Sequence, residues 1–197
     1  MKVGVIAVQG AVSEHVEILK KTMKHLGMNG EVVYVRSVDD LKNISRLVIP
    51  GGESTTINRL MMNTGLHDEI IRLAKKELPI LGTCAGTILL AKEGDEQTVK
   101  TKTVLFGLMD MKVSRNVYGR QVDSFEADVK IPEIRGKDFR GVFIRAPVIE
   151  KVWDGTEVFA KYQDSIVGAK KGNILALTFH PELTDDLRIH EYFLRMI

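Results

Sequence analysis

The chain has a single cysteine, Cys84, in 197 residues, so it can form no internal disulfide. It has no excess of charge of either sign. With 28 Lys and Arg against 26 Asp and Glu, the formal net charge is +2, which provides no field to hold nucleic acid or an anionic membrane. Lysine pairs such as Lys20-Lys21 and Lys75-Lys76 are expected on solvated helix faces. Long apolar runs are also missing. Met1-Lys2 leads into a stretch too short to span a bilayer, and nothing resembles a signal peptide, so the expected location is cytoplasmic. The five His show no close ligand spacing with one another or with Cys84, and neither a metal nor a cofactor is expected. There is no repeat, low-complexity tract or linker. The length suits one domain over 1–197.

What is present alternates between two patterns. Residues 2–8 form a short apolar run that reads as a buried strand. Val12, Val16, Leu19, Met23 and Leu26 then recur at helix spacing, and Gly27 suits a helix stop. EVVYV (31–35) and RLVIP (46–50) read as strands. A glycine turn follows and opens a helix through Leu60; a further helix is expected over 66–77, and Pro79 starts a strand, PILG. This alternation predicts a parallel sheet with helices on both faces. Residues 93–103 are polar, show no period and read as a surface excursion. From 104 to 178 come short strand-like runs (DVKI, GVFI, EVFAKY, SIVGAK, ILALTF) without a long helix, so part of this region is expected to be antiparallel. The end reads as an amphipathic helix with Leu187, Phe193, Leu194 and Ile197 inward.

Three motifs carry chemistry. Gly82-Thr83-Cys84-Ala85-Gly86 lies between a strand and a helix pattern, the setting of a nucleophile elbow with Cys in place of Ser. The glycines fit because strand and helix approach too closely for larger side chains. Cys84 would sit at a helix N-terminus, where partial positive charge favours the thiolate. A lone Cys is otherwise a small buried hydrophobe.

Phe179-His180-Pro181-Glu182 closes the last apolar run. If the chain is extended there, as the residue before proline prefers, His180 and Glu182 point to one face. The carboxylate would then orient the imidazole as a base toward the thiol. On its own, His-x-Glu also describes a surface His beside a helix start.

The third motif is Pro50-Gly51-Gly52-Glu53-Ser54-Thr55-Thr56. Its glycines suit an oxyanion hole made by the N–H groups of Gly52 and Ala85. The plain alternative is a turn with Ser54 or Thr55 as N-cap. The motif lacks the Lys of a phosphate-binding loop, which excludes that reading.

Together these motifs resemble a class I, triad-type glutamine amidotransferase. Val8-Gln9-Gly10-Ala11, PGGESTT (50–56), GTCAG (82–86), GRQVDSFEADV (119–129), FIRAP (143–147) and FHPELTDD (179–186) narrow the resemblance to the glutaminase subunits of pyridoxal 5′-phosphate synthase. It covers nearly the whole chain; the departure is 93–103, which looks longer than the usual connection. The resemblance implies a flavodoxin-like three-layer α/β/α sandwich around a mixed, mostly parallel sheet. It implies Cys84 as nucleophile with His180 and Glu182 completing the triad. Gly52, Glu53 and Ser54 would line the glutamine pocket, and Arg115 would pair with the substrate α-carboxylate. Ile144 and Arg145 would contact substrate through their backbone, with Gln9 near the site. Ammonia would pass to a separate synthase subunit as partner. Two alternatives stay open: a glutaminase for another synthase, such as the one in histidine biosynthesis, and a non-enzymatic glutamine-binding or stress-type protein of related fold. The paired glycines 51 and 52 further suggest a gate, since one peptide rotation would present either a carbonyl or an N–H to the oxyanion.

Overall fold

The structure is a computed structural model and describes residues 1–115 and 124–196. The first strand, β1 (Lys2–Ile6), leads into α1 (Val12–His25), which Gly27 ends at φ 62°. Next come β2 (Glu31–Val35), β3 (Arg46–Ile49), α2 (Ser54–Asn63), α3 (Leu66–Ala74) and β4 (Ile80–Thr83). Helix α4 (Ala85–Leu90), β5 (Ala91–Glu93) and α5 (Glu96–Lys100) precede β6 (Met109–Ser114). The remainder holds β7 (Ser124–Val129), β8 (Phe139–Ile144), β9 (Val148–Val152), β10 (Glu157–Tyr162), β11 (Ser165–Lys171), β12 (Ile174–Leu177) and α6 (Arg188–Arg195).

Among the described residues, ten strands form one sheet in the order β2-β1-β3-β4-β12-β11-β9-β6-β5, with β10 paired to β11. The pairings from β2 across to β12 are parallel. Those joining β12, β11, β9 and β6 are antiparallel, as is β10 on β11, and β5 returns parallel to β6. β7 and β8 form a separate antiparallel hairpin. The mixed sheet is therefore parallel in the half built first along the chain.

Alternation along the central strands assigns the layers. Val3, Val5, Val48, Leu81, Leu175 and Leu177 pack in one core with Val16 and Leu19 of α1 and Ile189 and Phe193 of α6. Their neighbours Leu47, Ile49, Ile80, Ile174 and Ala176 pack in the other, with Ile57 of α2, Leu66 and Ile70 of α3, and Ile88 of α4. A strand's side chains alternate faces, so a sheet buried on both faces must read as a continuous apolar run. The result is a three-layer α/β/α sandwich.

Several boundaries differ from the expectation. β1 ends at Ile6 and α3 at Ala74, inside the 2–8 and 66–77 windows. The excursion 93–103 contains α5, whose N-cap Asp95 accepts a hydrogen bond from the Thr98 N–H at 2.8 Å. In the closing helix Phe193 and Leu194 are buried as expected, but Leu187 is only half-buried because it is the N-cap, and Ile189 takes the inward place. Ile197, Asn116 and the GRQVD segment of 119–123 lie outside the described residues. Among the described residues, no helix is long and apolar enough to cross a membrane.

Candidate active site

β4 and β12 are parallel neighbours at the centre of the sheet, with Thr83 opposite Leu177. Their carboxyl ends therefore bring Cys84 and His180 together, the place where open α/β sheets gather reactive groups. The Cys84 N–H donates to the Leu177 carbonyl at 2.8 Å and ties the two ends. Cys84 has φ 48° and ψ −102°, a conformation that costs an L-residue on the order of 1–3 kcal/mol. Its glycines are required. A Cβ on Gly82 would come within 2.5 Å of Leu90 Cδ1, and one on Gly86 would run into the Ile49 carbonyl oxygen. Strand and helix are that close because the elbow reverses the chain within one residue. The Cys84 Sγ lies 4.0 Å from the Ile144 carbonyl oxygen.

His180 is fixed by β8, its N–H donating to the Val142 carbonyl at 2.8 Å. Its Nδ1 lies 2.6 Å from Glu182 Oε1. The expected pairing is present, but not through an extended chain: Pro181–Leu183 form a 3₁₀ turn with Pro181 at its first position. Proline's fixed φ and missing N–H suit the first position of a helical turn, and that preference prevails over extension here. Burial works against a charged His180 ring, yet hydrogen bonds to Cys84 and Glu182 overcome it and push its pKa up to about 10. Burial likewise opposes the charge on Glu182, but its hydrogen bond to the charged His180 outweighs it and holds the carboxyl below its ordinary range.

Cys84 and His180 border on a cavity of about 460 Å³. Gln9, Gly52, Glu53, Ser54, Cys84, Ala85, Arg115, Ile144, Arg145 and His180 all line it; Glu182 sits behind His180, outside the lining. The glycine turn is anchored from β1's end. Gln9 Oε1 accepts the Glu53 N–H at 3.0 Å, and the Gly51 carbonyl accepts the Ala11 N–H at 3.1 Å. The cap of α2 is neither Ser54 nor Thr55. Glu53 caps it, its carboxylate accepting the N–H groups of Thr55 at 3.0 Å and Thr56 at 2.6 Å. Arg145 holds φ 42°, a second strained backbone on the cavity wall.

Arg115 follows β6, and its N–H donates to Asp95 Oδ2 at 2.8 Å. Its Nε, Nη1 and Nη2 atoms are buried and have no hydrogen-bond partner among the described residues. A guanidinium in that state calls for an anionic group with fork geometry.

Three residues here went unanticipated. Asp95 fixes the backbone of Arg115, and Gln97 lines the cavity, so the 93–103 segment is part of the site wall. A usable signal was Asp-x-x-Thr, an N-cap spacing. His15 is fully buried between Thr83 and Glu182. Its position four residues before Leu19 places it on the inward face of α1, a signal available in the sequence.

A three-layer sandwich with a cysteine elbow beside a His-Glu pair on the next parallel strand defines the class I glutamine amidotransferases. Within that class the chain belongs to the SNO glutamine amidotransferase family, whose model matches residues 5–197. A relative from Methanosarcina barkeri described as pyridoxal 5′-phosphate synthase subunit PdxT is 53% identical over 197 residues, spanning 100% of this chain and 98% of the relative. One of the same description from Pyrococcus furiosus is 50% identical over 198 residues, spanning 100% of this chain and 99% of its own length. A crystal structure described as a glutamine amidotransferase superposes with a TM-score of 0.87 at 42% identity, over 98% of this chain and 97% of that one. PurLQS from Thermotoga maritima shares the fold with a TM-score of 0.67 at 17% identity, over 98% of this chain and 97% of the matched one.

Proposed function

We propose that the chain, acting as one amidotransferase domain over 1–197, hydrolyses L-glutamine to L-glutamate and ammonia and supplies the ammonia to a partner synthase subunit that makes pyridoxal 5′-phosphate. The observation that carries this reading is the shared cavity: Cys84, His180 and Arg115, whose guanidinium has no hydrogen-bond partner among the described residues, all line it. Glutamine has a carboxylate for Arg115 and a carboxamide for Cys84. A histidine anchor at 2.6 Å from a buried carboxylate serves catalysis, and a binding module would have no use for it.

The mechanism follows from these positions. The Cys84 thiolate, stabilised by the charged His180, attacks the carboxamide carbon. The N–H groups of Gly52 and Ala85 receive the developing oxyanion. His180 gives its proton to the nitrogen, the C–N bond breaks, and ammonia leaves a glutamyl thioester on Cys84. A water then loses a proton to His180 and adds to the thioester; glutamate departs and the thiolate–imidazolium pair returns. Glu182 holds the ring throughout. Gly52, Glu53 and Ser54, with the backbones of Ile144 and Arg145 and the nearby Gln9, surround the substrate.

The Gly51 carbonyl is held by Ala11, so in a planar trans peptide the Gly52 N–H faces the opposite way. In the proposed gate, synthase docking would favour the peptide orientation that presents this N–H to the oxyanion. Such a thiol suits the reducing cytoplasm. The test is ammonia release from glutamine with and without the synthase subunit, the sugar phosphates omitted. Activity should rise on titration with synthase and vanish in Cys84→Ala. Loss of a single oxyanion donor is worth about 10²–10³ in kcat, which sets the expected scale of activation. Near-normal activity in Cys84→Ala refutes the mechanism; a high rate without synthase and a flat titration refute gating alone.

A further inference from the structure

Beyond the cavity wall, on the oxygen of Glu182 that His180 does not use, lies His15. Its Nε2 is 3.4 Å from Glu182 Oε2 and 3.0 Å from the hydroxyl oxygen of Thr83, the residue before Cys84. The ring is fully buried, and its Nδ1 has no partner among the described residues. His190 of α6, also fully buried, meets it edge-on with centroids 6.0 Å apart. Glu14, its neighbour on α1, and His180 complete the ionisable groups around it. Neither helix reaches the substrate cavity with these rings.

Burial keeps His15 neutral, its pKa held below the ordinary histidine value. A neutral imidazole has one proton and two choices for it. On Nδ1, the proton would be a buried N–H without an acceptor, and the Nε2 lone pair would face a carboxylate oxygen. On Nε2, the N–H points between the Thr83 hydroxyl and Glu182, and only an acceptor lone pair goes unmatched. The second arrangement is favoured on both counts. The N–H is shared. Thr83 takes the shorter contact and Glu182 an electrostatic one.

We propose that His15 is a positioning residue of the triad: with its proton on Nε2 it steadies the Glu182 carboxylate from the side opposite His180 and links it to the strand end that carries Cys84. Rotation of the carboxylate about its own axis would carry Oε1 away from His180. The Nε2–H dipole, 3.4 Å from Oε2, which has no hydrogen bond of its own among the described residues, resists that rotation electrostatically. Placing the donor on Thr83's hydroxyl as well ties the orientation of the base to the backbone that presents the nucleophile. The burial of His190 against the ring excludes water, which would otherwise compete for Oε2.

This inference rests on the triad reading, and its test carries a readout that does not need turnover. In the full chain with its synthase, His15→Phe keeps a ring of similar size and removes the donor. His15→Gln places an amide N–H near the position of Nε2. The Phe variant should lose about 10–100-fold in kcat, by analogy with the loss when outer partners that orient a metal-bound histidine are removed, with KM for glutamine unchanged. The Gln variant should recover most of that loss. In ¹⁵N-labelled protein the downfield His180 Nδ1–H resonance should persist in wild type and Gln and be lost to solvent exchange in Phe. A packing role gives the reverse order, Phe tolerated and Gln impaired. A Phe variant with kcat within about threefold of wild type and its resonance intact overturns the proposal. If Phe fails to fold, a Gln variant that folds but has lost more than about tenfold in kcat, or has lost the resonance, does the same. If wild type with synthase releases no ammonia, the glutaminase reading fails, and the resonance still decides the role of His15.

Discussion

Glu182→Gln isolates the buried contact behind the base. The substitution keeps the shape of the side chain and removes its charge, while the 2.6 Å approach to His180 Nδ1 allows no water between them. Both groups are buried. Breaking a buried charged pair by neutralising one member costs about 3–5 kcal/mol. At about 1.36 kcal/mol per factor of ten, the full cost felt at the transition state is a kcat loss of about 10²–10⁴. The charged His180 ring exists because hydrogen bonds to Cys84 and Glu182 overcome its burial, so its pKa should fall from about 10 in the variant. The sign for stability follows. A raised folded pKa contributes stability that is complete below the ordinary histidine value and is lost as pH rises through about 10. Urea titrations between those limits should show a shallower alkaline decline in Glu182→Gln than in wild type. The primary assay is ammonia release at saturating glutamine with synthase present. A kcat within about threefold of wild type would mean that His180 holds its orientation and charge without Glu182, and the reasoning from burial would be wrong.

Three other substitutions probe separate links. Arg115→Ala removes a buried guanidinium that has no hydrogen-bond partner among the described residues, so KM for glutamine should rise about 10–100-fold with kcat little changed, the equivalent of about 1.5–3 kcal/mol for a charge-assisted hydrogen bond. Initial-rate kinetics decide it, and an unchanged KM assigns Arg115 to another task. Gly86→Ala drives a methyl into the backbone carbonyl of Ile49 and should cost about 1–3 kcal/mol or more in denaturant unfolding. At Gly107, where an added Cβ meets nothing, Ala carries only the left-handed strain of φ 65°, about 1–2 kcal/mol. Equal activity and stability of wild type and Gly86→Ala would show that the elbow relaxes more readily than its packing implies.

The elements legible in the sequence are those whose cause is local. GTCAG reads as an elbow because glycines on both sides of a reactive residue at a strand–helix turn have few other uses, and the close contacts of Gly82 and Gly86 supply the reason. Buried strands read as apolar runs because both faces are covered. What stayed hidden depends on distant partners. His15 looks like an ordinary helix residue until Thr83, 68 positions away, and Glu182 close around it. Arg115 reads as a surface charge from its own neighbours, and only the family resemblance pointed to a ligand role. A five-residue helix such as α5 is too short to display a period, so 93–103 passed for irregular surface. The extended reading of 180–182 failed because two preferences of proline compete, and the turn won. The i, i+2 contact survived because a tight turn also brings those side chains together.

The place of β4 and β12 in the sheet has a consequence for motion. They are fourth and fifth in a row of nine, flanked by paired strands on both sides. Amides there, including the Cys84 N–H on Leu177, exchange with solvent only when the whole fold opens. Asp95 instead follows β5, the last strand of the row, and Arg115 follows β6 beside it, so fewer paired strands guard them against local opening. The chemical groups and the recognition groups therefore sit in units of different stability. Under the proposed roles, local opening would free the recognition side of the cavity first, while the thiol, the imidazole and the carboxylate are held at the ends of the central strands.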